Sequence, residues 1–261
     1  MSYFQAPVPL AVGATVTLEG EEAAHLLKSR RLRAGETFAL QDPSGARFLA
    51  ELAAPGRRGA AVRVLQPLPV PALPERRVLL LLAAVKDKAL EWTLQKATEL
   101  GVAAIQIFPA RHSPVSPADL AAPRTAARWE RIAREACKQC DRQFPPALGW
   151  LPGLDAALAA ARSASAPGSA SPGGATRGSA AWLLDPHAPR SLADALRALP
   201  PGGAASIAIL IGPEGGLTGE ETAAAQGAGF QAVGLGTLTL RAETAALAAC
   251  ALALFGPGKD A

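Results

Sequence analysis

The segment Leu210-Ile211-Gly212-Pro213-Glu214-Gly215-Gly216-Leu217-Thr218-Gly219-Glu220-Glu221 runs from an apolar stretch through a glycine-rich turn into a charged, helix-compatible stretch. Ser206 to Ile211 is short, apolar and bounded by breakers, which predicts a buried strand of a parallel sheet. Gly212, Gly215 and Gly216 let the chain turn sharply and let a ligand approach bare backbone. Thr218 and Glu221 stand at capping-box spacing, so a helix is predicted to begin there. A strand, a glycine turn and a helix in that order make up the crevice where open α/β sheets bind ligands. The same residues also suit an ordinary strand-to-helix turn in which Glu220 and Glu221 offset the helix dipole.

A second glycine turn precedes a helix at Leu235-Gly236-Thr237-Leu238-Thr239-Leu240-Arg241-Ala242-Glu243. Upstream, Val78 to Val85 reads as a strand buried on both faces, Lys88 to Leu100 as a helix with Leu90, Leu94, Ala97 and Leu100 on one stripe, and Val102 to Phe108 as the next strand. Pro123 to Cys140 is a long helical pattern carrying Arg128, Arg131, Arg134 and Lys138 as a basic stripe, which either borders a polyanion or solubilises the helix. A strand and helix ending near Ala161, a strand at Trp182 to Leu184, a helix capped by Ser191, a strand at Val233 to Leu235 and a helix at Ala242 to Phe255 complete the pattern. Strands alternating with helices predict an α/β domain with a mainly parallel sheet over residues 71–261. Within it, Ser163 to Ser179 is almost wholly Ala, Ser, Gly and Pro and reads as a loose surface loop.

The N-terminal part has a different character. Runs at Ala14 to Leu18, Thr37 to Gln41, Arg47 to Leu52 and Ala60 to Leu65, separated by turn signals, predict a small β-barrel over residues 1–70. Pro67, Pro69, Pro71 and Pro74 then mark a stiff boundary segment. Between the first two runs a helix-like insert, Glu21 to Leu32, is followed closely by Arg33, so that Lys28, Arg30, Arg31 and Arg33 cluster; the later strands add Arg47, Arg57, Arg58 and Arg63. Clustered guanidinium groups pair with phosphates, and a solvated basic face is the alternative. His25 reads as a structural or surface histidine, not a catalyst.

A formal charge of +4 and a pI near 9.2 fit a polyanion partner without requiring one. The chain has three cysteines, an odd number, and shows no signal-peptide pattern, which points to a reducing cytoplasm; Val78 to Val85 is too short to span a bilayer. Cys137-Lys138-Gln139-Cys140 has metal-site spacing, but tetrahedral zinc needs two further ligands and only Cys250 remains among the cysteines, so no metal is expected. A dinucleotide fingerprint fails because Gly234-Leu235-Gly236 is followed by Thr239 where a third glycine belongs, and no phosphate-binding G-x4-G-K-[ST] occurs; Gly258-Lys259 lacks the upstream glycine.

Together, "IGPEGGLTGEE" and the stretch from Leu235 to Leu247 resemble the signature of the ribosomal RNA small-subunit methyltransferase E family, of the SPOUT class. The resemblance extends to "EWTLQKATELGV" at Glu91 to Val102, "EACKQC" at Glu135 to Cys140 and "HLLKSRRLRAGE" at His25 to Glu36. It departs at Thr237-Leu238-Thr239, where the family is expected to carry Pro-Arg-(Ile or Val).

The resemblance implies a PUA-like RNA-binding barrel followed by a SPOUT domain with a trefoil knot, a homodimer, and methyl transfer from S-adenosylmethionine to N3 of a uridine in small-subunit (16S) ribosomal RNA. Ribose 2′-O-methylation and non-catalytic RNA binding are the alternatives; the latter leaves both glycine loops unexplained. On this reading Leu184, Ile211, Gly212, Glu214, Gly215, Gly216, Leu235, Gly236 and Leu240 hold the cofactor, and Lys28, Arg30, Arg31 and Arg33 contact RNA. Uracil N3 must lose a proton before it attacks a methyl group. Arg241 is therefore the candidate to hold the resulting charge, and Glu243 to orient Arg241 or take the proton.

Overall fold

The computed structural model describes residues 3–56, 59–164, 178–199 and 206–256. Arg57, Arg58, Gly258, Lys259 and most of the Ser163 to Ser179 segment lie outside the described residues. Two compact units divide the chain: Met1–Ala72 with Cys137–Phe144, and Leu73–Ala136 with Pro145–Ala261.

The first unit contains β1 (Tyr3–Gln5), β2 (Thr15–Glu19), α1 (Gly20–Ala24), β3 (Thr37–Gln41), β4 (Arg47–Pro55) and β5 (Gly59–Leu68). The strands form one curled sheet in the order β1-β3-β4-β5-β2, antiparallel except for β1 on β3. Alternate residues of β5, namely Ala60, Val62 and Val64, are buried, and the first two meet Phe4, Leu18, Leu26, Phe38, Leu40 and Leu52 in a single core. Register shifts between Leu49 and Ala50 and between Leu52 and Ala54 bend the central pair, and this is how a short sheet curls. The helical insert is not one regular helix: α1 continues into a π-helical stretch, His25–Ser29, capped by Arg30, and the next residue, Arg31, has φ 54°. β1 has only three residues, too few for any periodicity to show in the sequence.

The second unit runs β6 (Arg77–Ala83), α2 (Asp87–Leu100), β7 (Ala104–Phe108), α3 (Pro117–Ala121), α4 (Pro123–Cys140), β8 (Ala147–Trp150), α5 (Leu154–Ala164), β9 (Ser179–Leu184), α6 (Leu192–Arg197), β10 (Ser206–Ile211), α7 (Gly219–Gly227), β11 (Gln231–Val233) and α8 (Ala242–Phe255); the last residues of α4 belong to the first unit. The sheet order is β11-β9-β10-β6-β7-β8, and every pair is parallel. Successive residues of β6 point to opposite faces, and both faces are covered. Val78, Leu80 and Leu82 pack with Leu90, Leu94 and Ala97 of α2 and with Ala246, Ala249 and Cys250 of α8. Leu79, Leu81 and Ala83 pack with Leu158 of α5, Leu210 of β10 and Phe230. This double burial is why β6 reads as an unbroken apolar run, and each enclosed leucine contributes about 1.5–3 kcal/mol relative to exposure.

Local signals set the ends of the elements. Gly101, at φ 94°, closes α2 with the N–H of Val102 returning to the Ala97 carbonyl at 3.1 Å. Ser191 caps α6 by accepting the Asp194 N–H at 3.0 Å. The strand expected at Val233 to Leu235 ends instead at Val233. Gly234 is drawn out of that ladder, since its N–H donates to Arg190 O at 2.9 Å and its carbonyl accepts from Leu192 N–H at 2.8 Å. Among the described residues no helix is long and apolar enough to cross a membrane.

Candidate functional site

β9, β10 and β11 are adjacent parallel strands, so the segments that leave their carboxyl ends emerge side by side. These segments, Leu184–His187, Gly212–Leu217 and Leu235–Arg241, enclose a cavity of about 610 Å³ whose wall continues onto Thr222 of α7 and Ala242 and Ala245 of α8. Its position outside the carboxyl ends of the strands is the usual ligand site of an open α/β sheet, and its volume suits a ligand of cofactor size.

The β10 segment has a defined geometry. A turn is closed by the Gly216 N–H donating to Pro213 O at 2.9 Å, and Gly216 itself has φ 72°, which glycine alone adopts readily. A Cβ on Gly212 would lie 3.2 Å from Leu217 Cγ and 3.3 Å from Leu217 N, so the chain doubles back closely enough that a side chain there would require Leu217 to give by a few tenths of an ångström. α7 then starts with a complete capping box. Thr218 Oγ1 accepts the Glu221 N–H at 3.1 Å, and Glu221 Oε2 accepts the Thr218 N–H at 2.8 Å.

The cavity brings together Leu184, Ile211, Gly212, Glu214, Gly216, Leu235, Gly236, Leu240 and Arg241 from the residues singled out in the sequence. Arg241 is the N-cap of α8 and its side chain makes no capping bond. Two of the candidates lie elsewhere. Gly215 does not line the cavity: a Cβ there would meet His112 Cβ at 3.1 Å, so its bareness accommodates a neighbouring turn. Glu243, in the first turn of α8, is also outside the lining. The lining adds residues that sequence reasoning did not assign, among them Asp185 and His187 after β9, and Leu238 and Thr239 after β11. Asp185-Pro186-His187 follows the end of β9, where the His187 N–H donates to Asp185 Oδ1 at 2.8 Å, but nothing local in the sequence shows that it faces a cavity.

In the first unit Lys28, Arg30, Arg31 and Arg33 are all exposed. Arg47, offered as a phosphate ligand, is instead buried at 5 % exposure. It bonds to Asp141 and to Gln41 Oε1, and it lies 4.2 Å over the Tyr3 ring. Arg63 pairs with Glu51 at 2.9 Å. Within the basic stripe of α4, Arg128 pairs with Glu91, Arg134 with Glu130 and Lys138 with Glu22, which neutralises much of it. The His25 ring lies tilted against Phe4, 5.1 Å between centroids. Cys137 is buried and its thiol is pushed up to about 12, chiefly by that burial, so it packs as a neutral group. Among the described residues no three or more His, Cys, Asp or Glu side chains are grouped to hold a metal ion.

Residues 72–254 match the family of RNA methyltransferase domains, and residues 18–65 match the RNA methyltransferase PUA domain. Fold and site together thus define an RNA methyltransferase that carries a PUA domain. A Mycobacterium bovis protein named ribosomal RNA small subunit methyltransferase E is 31 % identical over 240 residues, spanning 91 % of this chain and 85 % of that one. The chain belongs to the ribosomal RNA small subunit methyltransferase E family. Its Bacillus subtilis relative is 28 % identical over 89 % of this chain and 87 % of that one. The Neisseria gonorrhoeae enzyme of that name, solved bound to S-adenosyl methionine, superposes with a TM-score of 0.77 at 32 % identity, covering 96 % of this chain and 95 % of that one. A Legionella pneumophila protein, solved with the bound cofactor SAM, gives 0.78 at 26 % identity over 97 % and 96 %.

Proposed function

We propose that this chain methylates N3 of a uridine in small-subunit (16S) ribosomal RNA with S-adenosylmethionine as donor, acting as a cytoplasmic homodimer. The observation that carries the reading is the cavity of about 610 Å³ formed at three adjacent strand ends, in a fold whose solved relatives hold that donor. Leu184, Ile211, Leu235 and Leu240 give it apolar walls, while Gly212, Gly216 and Gly236 expose backbone, a combination suited to a nucleoside with a polar tail. When bound, the donor supplies an electrophilic methyl group on a sulfonium. What the protein must add is a place for the N3 proton and a fixed positive charge near the uracil oxygens. Arg241, on the cavity wall and bearing a guanidinium, meets the second need.

The exposed Lys28, Arg30, Arg31 and Arg33 fit a role in phosphate contact, which positions RNA without choosing the base. Leu252 and Phe255 on α8 remain exposed, in keeping with a homodimer. The decisive experiment is to incubate the purified protein with small ribosomal subunits and S-adenosylmethionine and identify the modified nucleoside by mass spectrometry. N3-methyluridine supports the reading, a ribose-methylated nucleoside would shift it to 2′-O transfer, and no incorporation would leave an RNA-binding protein.

A further inference from the structure

The glycine-rich segment after β10 is gripped from outside by a turn that the methyl-transfer reading does not use. Beyond β7, at Ala110–Ser113, Ser113 N–H donates to Ala110 O at 3.0 Å and Ser113 Oγ accepts the Ala110 N–H at 3.0 Å. This reciprocal pair closes a tight loop with Arg111 and His112 at its tip. The tip meets the glycine segment at three points. His112 Nδ1 lies 3.1 Å from the Gly216 carbonyl oxygen. The Arg111 N–H donates to Glu221 Oε1 at 2.8 Å. The bare Cα of Gly215 faces the imidazole, since a Cβ there would stand 3.1 Å from His112 Cβ and 3.5 Å from its Cγ. Glu221 thus works in two directions, one oxygen closing the cap of α7 on Thr218 and the other holding the neighbouring turn.

We infer that the Arg111–His112 turn is a clasp that fixes the shape of the cofactor loop, and that His112 is a positioning residue for S-adenosylmethionine. The inference rests on reading that loop as the cofactor loop. A segment with three glycines, Gly212, Gly215 and Gly216, has wide conformational freedom, and a ligand that needs one shape must bear the cost of selecting it. The clasp removes part of that freedom beforehand on the C-terminal side of the segment, at Gly215 and Gly216 and, through Glu221, at the start of α7. A carbonyl oxygen only accepts, so Nδ1 must carry a proton, which selects one ring tautomer when the imidazole is neutral. His112 is exposed, and its removal leaves the buried cores untouched.

The test compares wild type with His112→Ala, His112→Asn, Gly215→Ala, His112→Gly and the Gly215→Ala/His112→Gly pair, each checked for an unchanged melting temperature. Calorimetry with S-adenosylmethionine should show about tenfold weaker binding for His112→Ala. Turnover at saturating donor should be nearly kept, and His112→Asn, whose amide nitrogen can take the place of Nδ1, should restore most of the affinity. Gly215→Ala should weaken binding more in wild type than in the His112→Gly background, because the clash is with the His112 side chain. Nitrogen-15 NMR of the ligand-free protein should find the Nδ1–H form of His112. Wild-type affinity in His112→Ala, or no recovery in His112→Asn, would overturn the clasp. If wild type binds no S-adenosylmethionine the functional reading falls; the ring tautomer and the amide exchange of Gly216 to Thr218 then decide the clasp, which an Nε2–H ring or exchange unaltered by His112→Ala would overturn.

Discussion

Glu221 Oε2 accepts the Thr218 backbone N–H at 2.8 Å while Thr218 Oγ1 accepts the Glu221 N–H at 3.1 Å, so the start of α7 is closed by a reciprocal pair beside the cavity. Replacing Glu221 with Ala removes one half of that pair and frees the Arg111 N–H as well. Loss of a cap costs about 1 kcal/mol. We expect Glu221→Ala to lower the unfolding free energy by about that amount and to weaken donor binding in parallel. Thr218→Ala, which leaves the Arg111 bond in place, should cost similar stability but less affinity. Chemical denaturation and calorimetry on the two variants separate the effects.

The buried Arg47 makes the opposite kind of prediction. Its guanidinium, itself buried, lies 3.1 Å from Asp141, serves Gln41 and covers Tyr3, and truncating it takes a donor from each partner and leaves a gap in the packing. Arg47→Ala should destabilise the protein by about 3 kcal/mol or more, and Arg47→Lys should recover only part because a lysine cannot reproduce the planar fork. Urea denaturation measures this. A loss under about 0.5 kcal/mol, the range of ordinary surface changes, would return Arg47 to the list of RNA contacts.

Alkaline pH should weaken the fold. Burial pushes the thiols of Cys137 and Cys250 and the phenol of Tyr3 each up to about 12. A group whose folded pKa is raised contributes its full stability below its unfolded pKa, about 8.5 for a thiol, and loses it as pH rises through the folded value. Stability should therefore fall progressively from about pH 8.5 upward. Cys250→Ala, at a fully buried position in α8, should flatten that slope. Urea midpoints from pH 7.5 to 10.5 give the answer; identical slopes for the two proteins would remove the thiol from the account.

The apolar run Ser206–Ile211 made β10 legible and the helical spacing of its basic residues made α4 legible, because each is a pattern within the element itself. The capping box at Thr218 was equally legible, since it is a local bond between residues three apart. What stayed hidden depends on distant chain. Arg47 looked like a surface cation because its partner Asp141 lies 94 positions away. Gly215 looked like a ligand contact because the side chain it accommodates, His112, belongs to another turn. Asp185 and His187 line the cavity only because β9 sits beside β10, a fact of strand order that no local pattern encodes. The trefoil knot came from the resemblance alone, since the general expectation for chain paths is against threading.

The last prediction concerns Arg241 and the proton on uracil N3. As that proton leaves, negative charge spreads over O2 and O4, and a fixed cation at the cavity wall lowers the energy of this state more than that of bound neutral uracil. Arg241 is placed for this: it is the exposed N-cap of α8, with extended backbone and no capping bond to occupy its side chain. Arg241→Ala should therefore cut the rate of methyl transfer by about a hundredfold or more while leaving donor affinity nearly unchanged. Arg241→Lys should recover part of the rate through charge alone. Glu243 stands outside the cavity lining, in the first turn of α8, where a carboxylate favours the helix dipole. Glu243→Gln should accordingly keep both the rate and its dependence on pH. Single-turnover methylation of small subunits across pH, for wild type and these three variants, checks each point. Near-normal turnover in Arg241→Ala would remove it from the mechanism, and a displaced pH profile in Glu243→Gln would make that carboxylate the proton acceptor after all.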